Sequence, residues 1–195
     1  MSLLLATVLS RWTREMLAGH EAPSPHITAG APMPAIIWRS WITWATSGFT
    51  PLVDASAQSY CLKLCEMAPK RVSAAVLQNP IGLHPEFPNY FPESHAAWAK
   101  EKRAARPELD EAAIEEFGRN MWSRGFVFSV SRDFVRRCVV PCLVLPGNDT
   151  PHPAVIGAEL AELVPNAEQL NPWKGPEHLD EQCERVIGFL EKHTP

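Results

Sequence analysis

Glycine is scarce in this chain, at 10 of 195 residues, and it is missing where nucleotide-binding proteins need it. No Gly-x-Gly-x-x-Gly occurs, so no turn brings a dinucleotide pyrophosphate against a helix N-terminus. No Gly-x-x-x-x-Gly-Lys-Ser/Thr occurs, which excludes a phosphate-cradling loop of the NTPase kind. Cys-x-x-Cys is also missing. The five cysteines are an odd number. Cys61 and Cys65 are four apart, as are Cys138 and Cys142, and both pairs sit in apolar runs. That spacing argues against zinc and predicts reduced, buried thiols in a cytoplasmic protein. Basic residues are outnumbered, 18 against 22, for a net charge of −4. No basic stripe is present to track phosphates, so no nucleic-acid partner is expected. No run approaches the ~20 apolar residues of a membrane span. Met1–Ser10 is apolar but brief, and no basic residue precedes it, which makes a poor secretory signal. Arg11 and Arg14 resemble a transit peptide, against which Glu15 and Glu21 count.

What remains is an ordinary globular composition, 46% hydrophobic and 21% charged. The length suits one domain with a sizeable core. Nineteen prolines cut the chain into short segments. Residues 1–50 form an atypical N-terminal segment. Leu3–Leu17 suits a helix with Leu5, Val8, Leu9, Trp12 and Met16 on one side. Pro23, Pro25, Pro32 and Pro34 then mark a linker. Trp38, Trp41 and Trp44 follow at helical spacing, either as a face docked on the core or as a partner or lipid surface.

Residues 51–195 read as a second region with regular alternation. A helix is expected over Ser56–Met67, ended by Pro69. Val72–Leu77 is an apolar, β-branched run, as a strand buried on both faces should be. An insert at about 84–137 is richer in charge and aromatics. It suits helices over Glu93–Arg106, from Pro107 to about Trp122, and over Ser131–Arg137. Val139–Leu145 is a second buried strand, and Ala154–Leu163 a helix. Ala167–Leu170 is a short strand, and a final amphipathic helix carries Leu179, Cys183, Val186, Ile187 and Leu190. Such alternation implies an α/β fold, a parallel sheet flanked by helices on both faces. In such sheets, active groups collect on loops at the carboxyl ends of strands.

Three stretches, "KLCEMAPKRVSAAVLQNP", "VVPCLVLPGNDTPHP" and "WKGPEHLDEQCERVIGFLEKH", come in the order nucleophile helix, acid turn, histidine loop. In these the chain resembles the α/β-hydrolase superfamily over roughly residues 52–193, with the insert at 84–137 where that family carries a helical cap. The resemblance implies a hydrolase of esters or related carboxylic derivatives, with a catalytic triad, a small-molecule substrate and no cofactor or metal. It implies His178 as general base and Asp149 as the acid that orients it. The family's usual acid position, one residue later, is Thr150. Asn79, where some members keep an acid, is an amide. The family's Gly-x-Ser-x-Gly elbow falls on Val53-Asp54-Ala55-Ser56-Ala57, which has no glycine. Register leaves Ser56 or Ala55 at the nucleophile position, with Asp54 one residue out. Ser56 also suits a helix N-cap. No His-Gly marks an oxyanion loop in residues 1–52, and Ala35–Trp38 is the single candidate strand there. The sheet is therefore expected to be incomplete on its N-terminal side. The alternative is a catalytically incompetent domain that serves as a binding module, with an exposed sheet edge that invites a homodimer. Phe87, Tyr90, Phe91, Trp98 and Trp122 are expected to line a substrate pocket or to pack the cap.

Overall fold

Cys142–Leu145 is a run of four apolar residues, every one buried, and it forms an inner strand of a parallel sheet. The computed structural model describes residues 52–54 and 57–193, with side chains from residue 58 onward. The elements are β1 (Leu52–Asp54), α1 (Ala57–Met67), β2 (Ala75–Gln78), α2 (Tyr90–Ala105), α3 (Glu111–Trp122), α4 (Arg132–Val135), β3 (Cys142–Leu145), α5 (Ala154–Leu163), β4 (Ala167–Gln169) and α6 (Leu179–His193). The expectations for residues 1–50, and Ala55 and Ser56, lie outside the described residues.

The strands stand in the order β1-β2-β3-β4 and are all parallel. Asp54 lies beside Gln78, and Gln78 beside Leu145. The carboxyl ends of three strands therefore form one row. Val144 lies beside Gln169, which brings the end of β4 to the same rim.

Side chains alternate across the sheet. Ala75, Leu77, Cys142 and Val144 pack with Cys61, Leu62 and Cys65 of α1 and with Ile156 and Leu160 of α5. Val76, Leu143 and Leu145 turn the other way, onto Leu170, Trp173 and Phe189. Burial on both faces explains why these strands read as unbroken apolar runs. Leu143 is fully buried, so Leu143→Ala should cost about 2–5 kcal/mol. Urea unfolding measures this, and an unchanged midpoint would deny Leu143 its place in the core.

Both inner strands begin later in the chain than the sequence pattern suggests, at Ala75 and Cys142. Pro141 has no N–H to give to a ladder. Its carbonyl accepts from Ala75 N at 2.9 Å, and regular pairing starts beyond it. Val139, expected within the strand, is 69% exposed. The second helix of the insert begins at Glu111 rather than Pro107, because Asp110 caps it through Ala112 N at 3.1 Å. Helix α6 is tied to β4 by Lys192 and Arg185, which reach Glu168 at 2.9 and 3.1 Å. The Lys192 hydrogen bond holds the Glu168 carboxyl below its ordinary value. Among the described residues, no helix is long and apolar enough to cross a membrane.

Candidate active site

The first turn of α1 carries polar side chains that face inward. Gln58 is fully buried. Its amide Nε2 donates to Ile81 O at 3.2 Å and to Ser59 Oγ at 2.9 Å. Ser59 Oγ donates to Val127 O at 2.6 Å, so this hydroxyl is committed to structure. Tyr60 reaches Met121 Sδ at 2.6 Å, and burial pushes its phenol up. These bonds fix the start of α1 against the loop after β2, the far end of the insert, and α3. The two nucleophile candidates, Ala55 and Ser56, come between the last residue of β1 and the first of α1.

The loop after β3 runs Pro146-Gly147-Asn148-Asp149. Gly147 is required by close approach, since a Cβ there would lie 2.2 Å from His152 O. The Asp149 carboxylate accepts the His152 backbone N–H at 2.9 Å and contacts its ring Nδ1 at 2.6 Å. That ring contact turns Nε2 away from the carboxylate, as an orienting acid does. The pairing of Asp149 with His152 was not anticipated from the sequence. Its one signal was the i, i+3 spacing of the two residues inside a Pro-bounded turn.

The loop after β4 is tied to the loop after β3 by two hydrogen bonds. Trp173 Nε1 donates to Pro146 O at 2.7 Å, and Lys174 Nζ donates to Asn148 Oδ1 at 2.6 Å. Replacing Trp173 by Phe keeps an aromatic side chain but removes the indole N–H and some buried volume, and takes the donor from the buried Pro146 carbonyl. It should cost about 1–3 kcal/mol, read by thermal or urea unfolding. An unchanged stability would mean that this bond does not hold the loops together. Gly175 follows with φ +110°, a conformation that glycine tolerates and other residues resist. It leads into a 3-10 turn, Pro176–His178, that opens α6. His178 is half-buried, with Nε2 3.8 Å from Glu177 Oε1.

The fold thus puts Asp149, His152 and His178 on two tied loops at the rim where β1 also ends. No hydrogen bond joins Asp149 to His178, and both contacts of the carboxylate with His152 fall on Oδ1. Asn79 follows β2 at the same rim, with φ +47° and its N–H on Leu145 O at 2.9 Å.

Above α1 lies a pocket of about 40 Å³ lined by Ser59, Tyr60, Ile81, Asn120, Met121, Trp122, Phe128 and Ser129. Of the five aromatics expected at a pocket wall, Trp122 lines this one. Phe91 stacks on Trp122 at 4.6 Å between centroids, and Phe128 meets both rings edge-on. Trp98 packs with His95 and Phe117. Phe87 is 52% exposed. Packing therefore accounts for most of the insert's aromatics. Phe126 and Phe128, at φ +45° and +63°, are strained positions for bulky residues. Both are buried, which offsets that cost. Among the described residues, no group of three or more His, Cys, Asp or Glu is arranged to hold a metal ion.

Sheet order, crossovers, insert and rim are those of the α/β-hydrolase fold, and the chain has that fold. It is similar to MGS-M2, an alpha/beta hydrolase enzyme from a Medee basin deep-sea metagenome library. The two share 12% identity at a TM-score of 0.61, over 98% of this chain and 86% of that one. It is similar to the monoacylglycerol lipase of Paleococcus ferrophilus, with 15% identity and a TM-score of 0.58 over 83% and 75% of the two chains. MenH from S. aureus follows at 13% and 0.54, over 91% and 81%. No family model matches the sequence. No curated protein matches it closely enough to count as a relative.

Proposed function

We propose that this chain hydrolyses carboxylic esters, with Ser56 as nucleophile, His178 as general base and Asp149 as the acid that orients it. The observation that carries this reading is the Trp173–Pro146 hydrogen bond at 2.7 Å, which ties the loop bearing His178 to the loop bearing Asp149. Solved structures of like fold include an esterase from Rhodococcus and a monoacylglycerol lipase, which is why an ester is the proposed substrate class.

In this mechanism Ser56 Oγ attacks the ester carbonyl while His178 takes its proton. The oxyanion is met by the Ala57 N–H. It opens α1, where the first amides have no partner within the helix and the helix dipole is positive. His178 then protonates the departing alcohol. Water, deprotonated by the same ring, releases the acid product. The reaction needs no cofactor. Asp149 orients His178 either through Oδ2 or after Oδ1 releases the His152 ring, and catalytic hydrogen bonds commonly tighten only when substrate is bound. The insert at 84–137 would wall the substrate pocket.

One observation favours the second reading, a binding module without turnover: Asp149 Oδ1 is bonded to His152 and not to His178. A fluorophosphonate probe separates the two. The hydrolase should gain one covalent adduct, seen by intact mass. The adduct should disappear in Ser56→Ala and persist in Ser59→Ala. Folded wild-type protein that takes no adduct overturns Ser56 as nucleophile and favours the binding module.

A further inference from the structure

Ser129 lines the pocket above α1, and its hydroxyl is buried with no hydrogen-bond partner. The pocket's other hydroxyls are committed. Ser59 Oγ donates to Val127 O at 2.6 Å and accepts from Gln58 Nε2 at 2.9 Å. Tyr60 reaches Met121 Sδ at 2.6 Å. Asn120 is exposed, so water serves its amide. A buried hydroxyl without a partner costs free energy, and a ligand that meets it recovers that cost. Ser129 Oγ can donate or accept, which suits a hydroxyl on the ligand.

The rest of the wall limits what can enter. None of the described residues at the pocket carries a charge. A carboxylate or an ammonium would lose its water there with nothing to replace it, so the ligand group is neutral. Volume sets its size. A cavity of about 150 Å³ takes a benzene ring, which is about 25 Å³ for each heavy atom. The pocket's volume of about 40 Å³ therefore takes about two heavy atoms. Trp122 is backed by Phe91, stacked on it at 4.6 Å between centroids, and by Phe128 edge-on, so this wall resists being pushed back.

The pocket's place says which part of an ester it receives. Ser59 and Tyr60 stand in the first turn of α1, and Ile81 on the loop after β2. None of the described pocket residues comes from the loops that carry Asp149 and His178. In ester cleavage the alcohol leaves toward the histidine that protonates it. The acyl group stays bonded to the nucleophile, here the residue that precedes α1 in the chain. We propose that this pocket is the acyl site and that it selects a short 2-hydroxyacyl group, best of all hydroxyacetyl. Beyond its carbonyl that group has a CH2 and an OH, two neutral heavy atoms, and its hydroxyl pairs with Ser129 Oγ. This inference rests on the ester hydrolysis proposed above and names the acid half of its substrate.

The test compares ethyl glycolate with ethyl propionate, which share an alcohol and match in acyl size, by following acid release. The ratio of their kcat/KM values should favour glycolate about three- to tenfold more in wild type than in Ser129→Ala. The variant cancels the greater intrinsic reactivity of the hydroxy ester. Ethyl octanoate should be the poorest substrate, and Trp122→Phe, with its smaller ring, should raise ethyl butyrate relative to propionate. A second readout needs no turnover and no Ser129 variant. The indole N–H NMR signal of Trp122, identified as the one lost in Trp122→Phe, is followed in Ser56→Ala. It should move with ethyl glycolate at lower concentration than with ethyl propionate, and stay in place with ethyl octanoate. If wild type hydrolyses none of these esters, ester hydrolysis falls, and the NMR shifts alone decide what the pocket takes. A ratio unchanged in Ser129→Ala overturns the proposal even in an active hydrolase. So does a Trp122 signal that ignores glycolate or follows octanoate.

Discussion

Ser56→Ala is expected to lower kcat on an activated ester by about a millionfold, the loss seen when a serine nucleophile is removed from a working triad. The effect is that large because base, acid and oxyanion donor act as one unit around a single attacking oxygen. Without that oxygen, the histidine has no proton to take. A competing account predicts a different result. If Ser56 only caps α1, its replacement costs about 1 kcal/mol of stability and leaves turnover unchanged. Measuring kcat and the urea midpoint on the same preparation separates a lost nucleophile from a lost cap. If Ala55 stands at the nucleophile position, wild type and variant are equally inactive.

The second large effect concerns the two histidines of the rim. His178→Ala should also lower kcat by about a millionfold, because the base is lost. His152→Ala should leave turnover at or above that of the wild type. Its removal frees the carboxylate oxygen that the ring now contacts at 2.6 Å, and Asp149 can then turn to His178. The reverse pattern, with His152→Ala inactive and His178→Ala active, would make the Asp149–His152 pair the working dyad. Esterase assays of the two variants beside wild type give the answer.

The order of elements was legible in the sequence because both inner strands are apolar on both faces and α6 is amphipathic. Their first residues were less legible. Pro141 delays pairing on both strands at once, through a cross-strand contact with Ala75 that no local pattern reveals. The start of α3 was set by Asp110, a better cap than the proline before it. Burial of the cysteines followed from their apolar settings, and four of the five are buried. Their gathering in one core cluster did not follow, because α1 and the start of β3 share that cluster only once they pack on the same face of the sheet. At the site, the position of His178 was readable from the helix that follows it. The partner of Asp149 was not. Whether a carboxylate bonds to a histidine three residues on or to one across the rim depends on turn geometry, here set by the tight passage at Gly147.

A crystal structure of the protein after reaction with the fluorophosphonate probe shows which side chain attacks. Ester hydrolysis by this triad requires phosphorus bonded to Ser56 Oγ, with a His178 ring nitrogen within about 2.6–3.2 Å of that oxygen. Phosphorus on another residue, or a His178 ring turned away from Ser56, would contradict it.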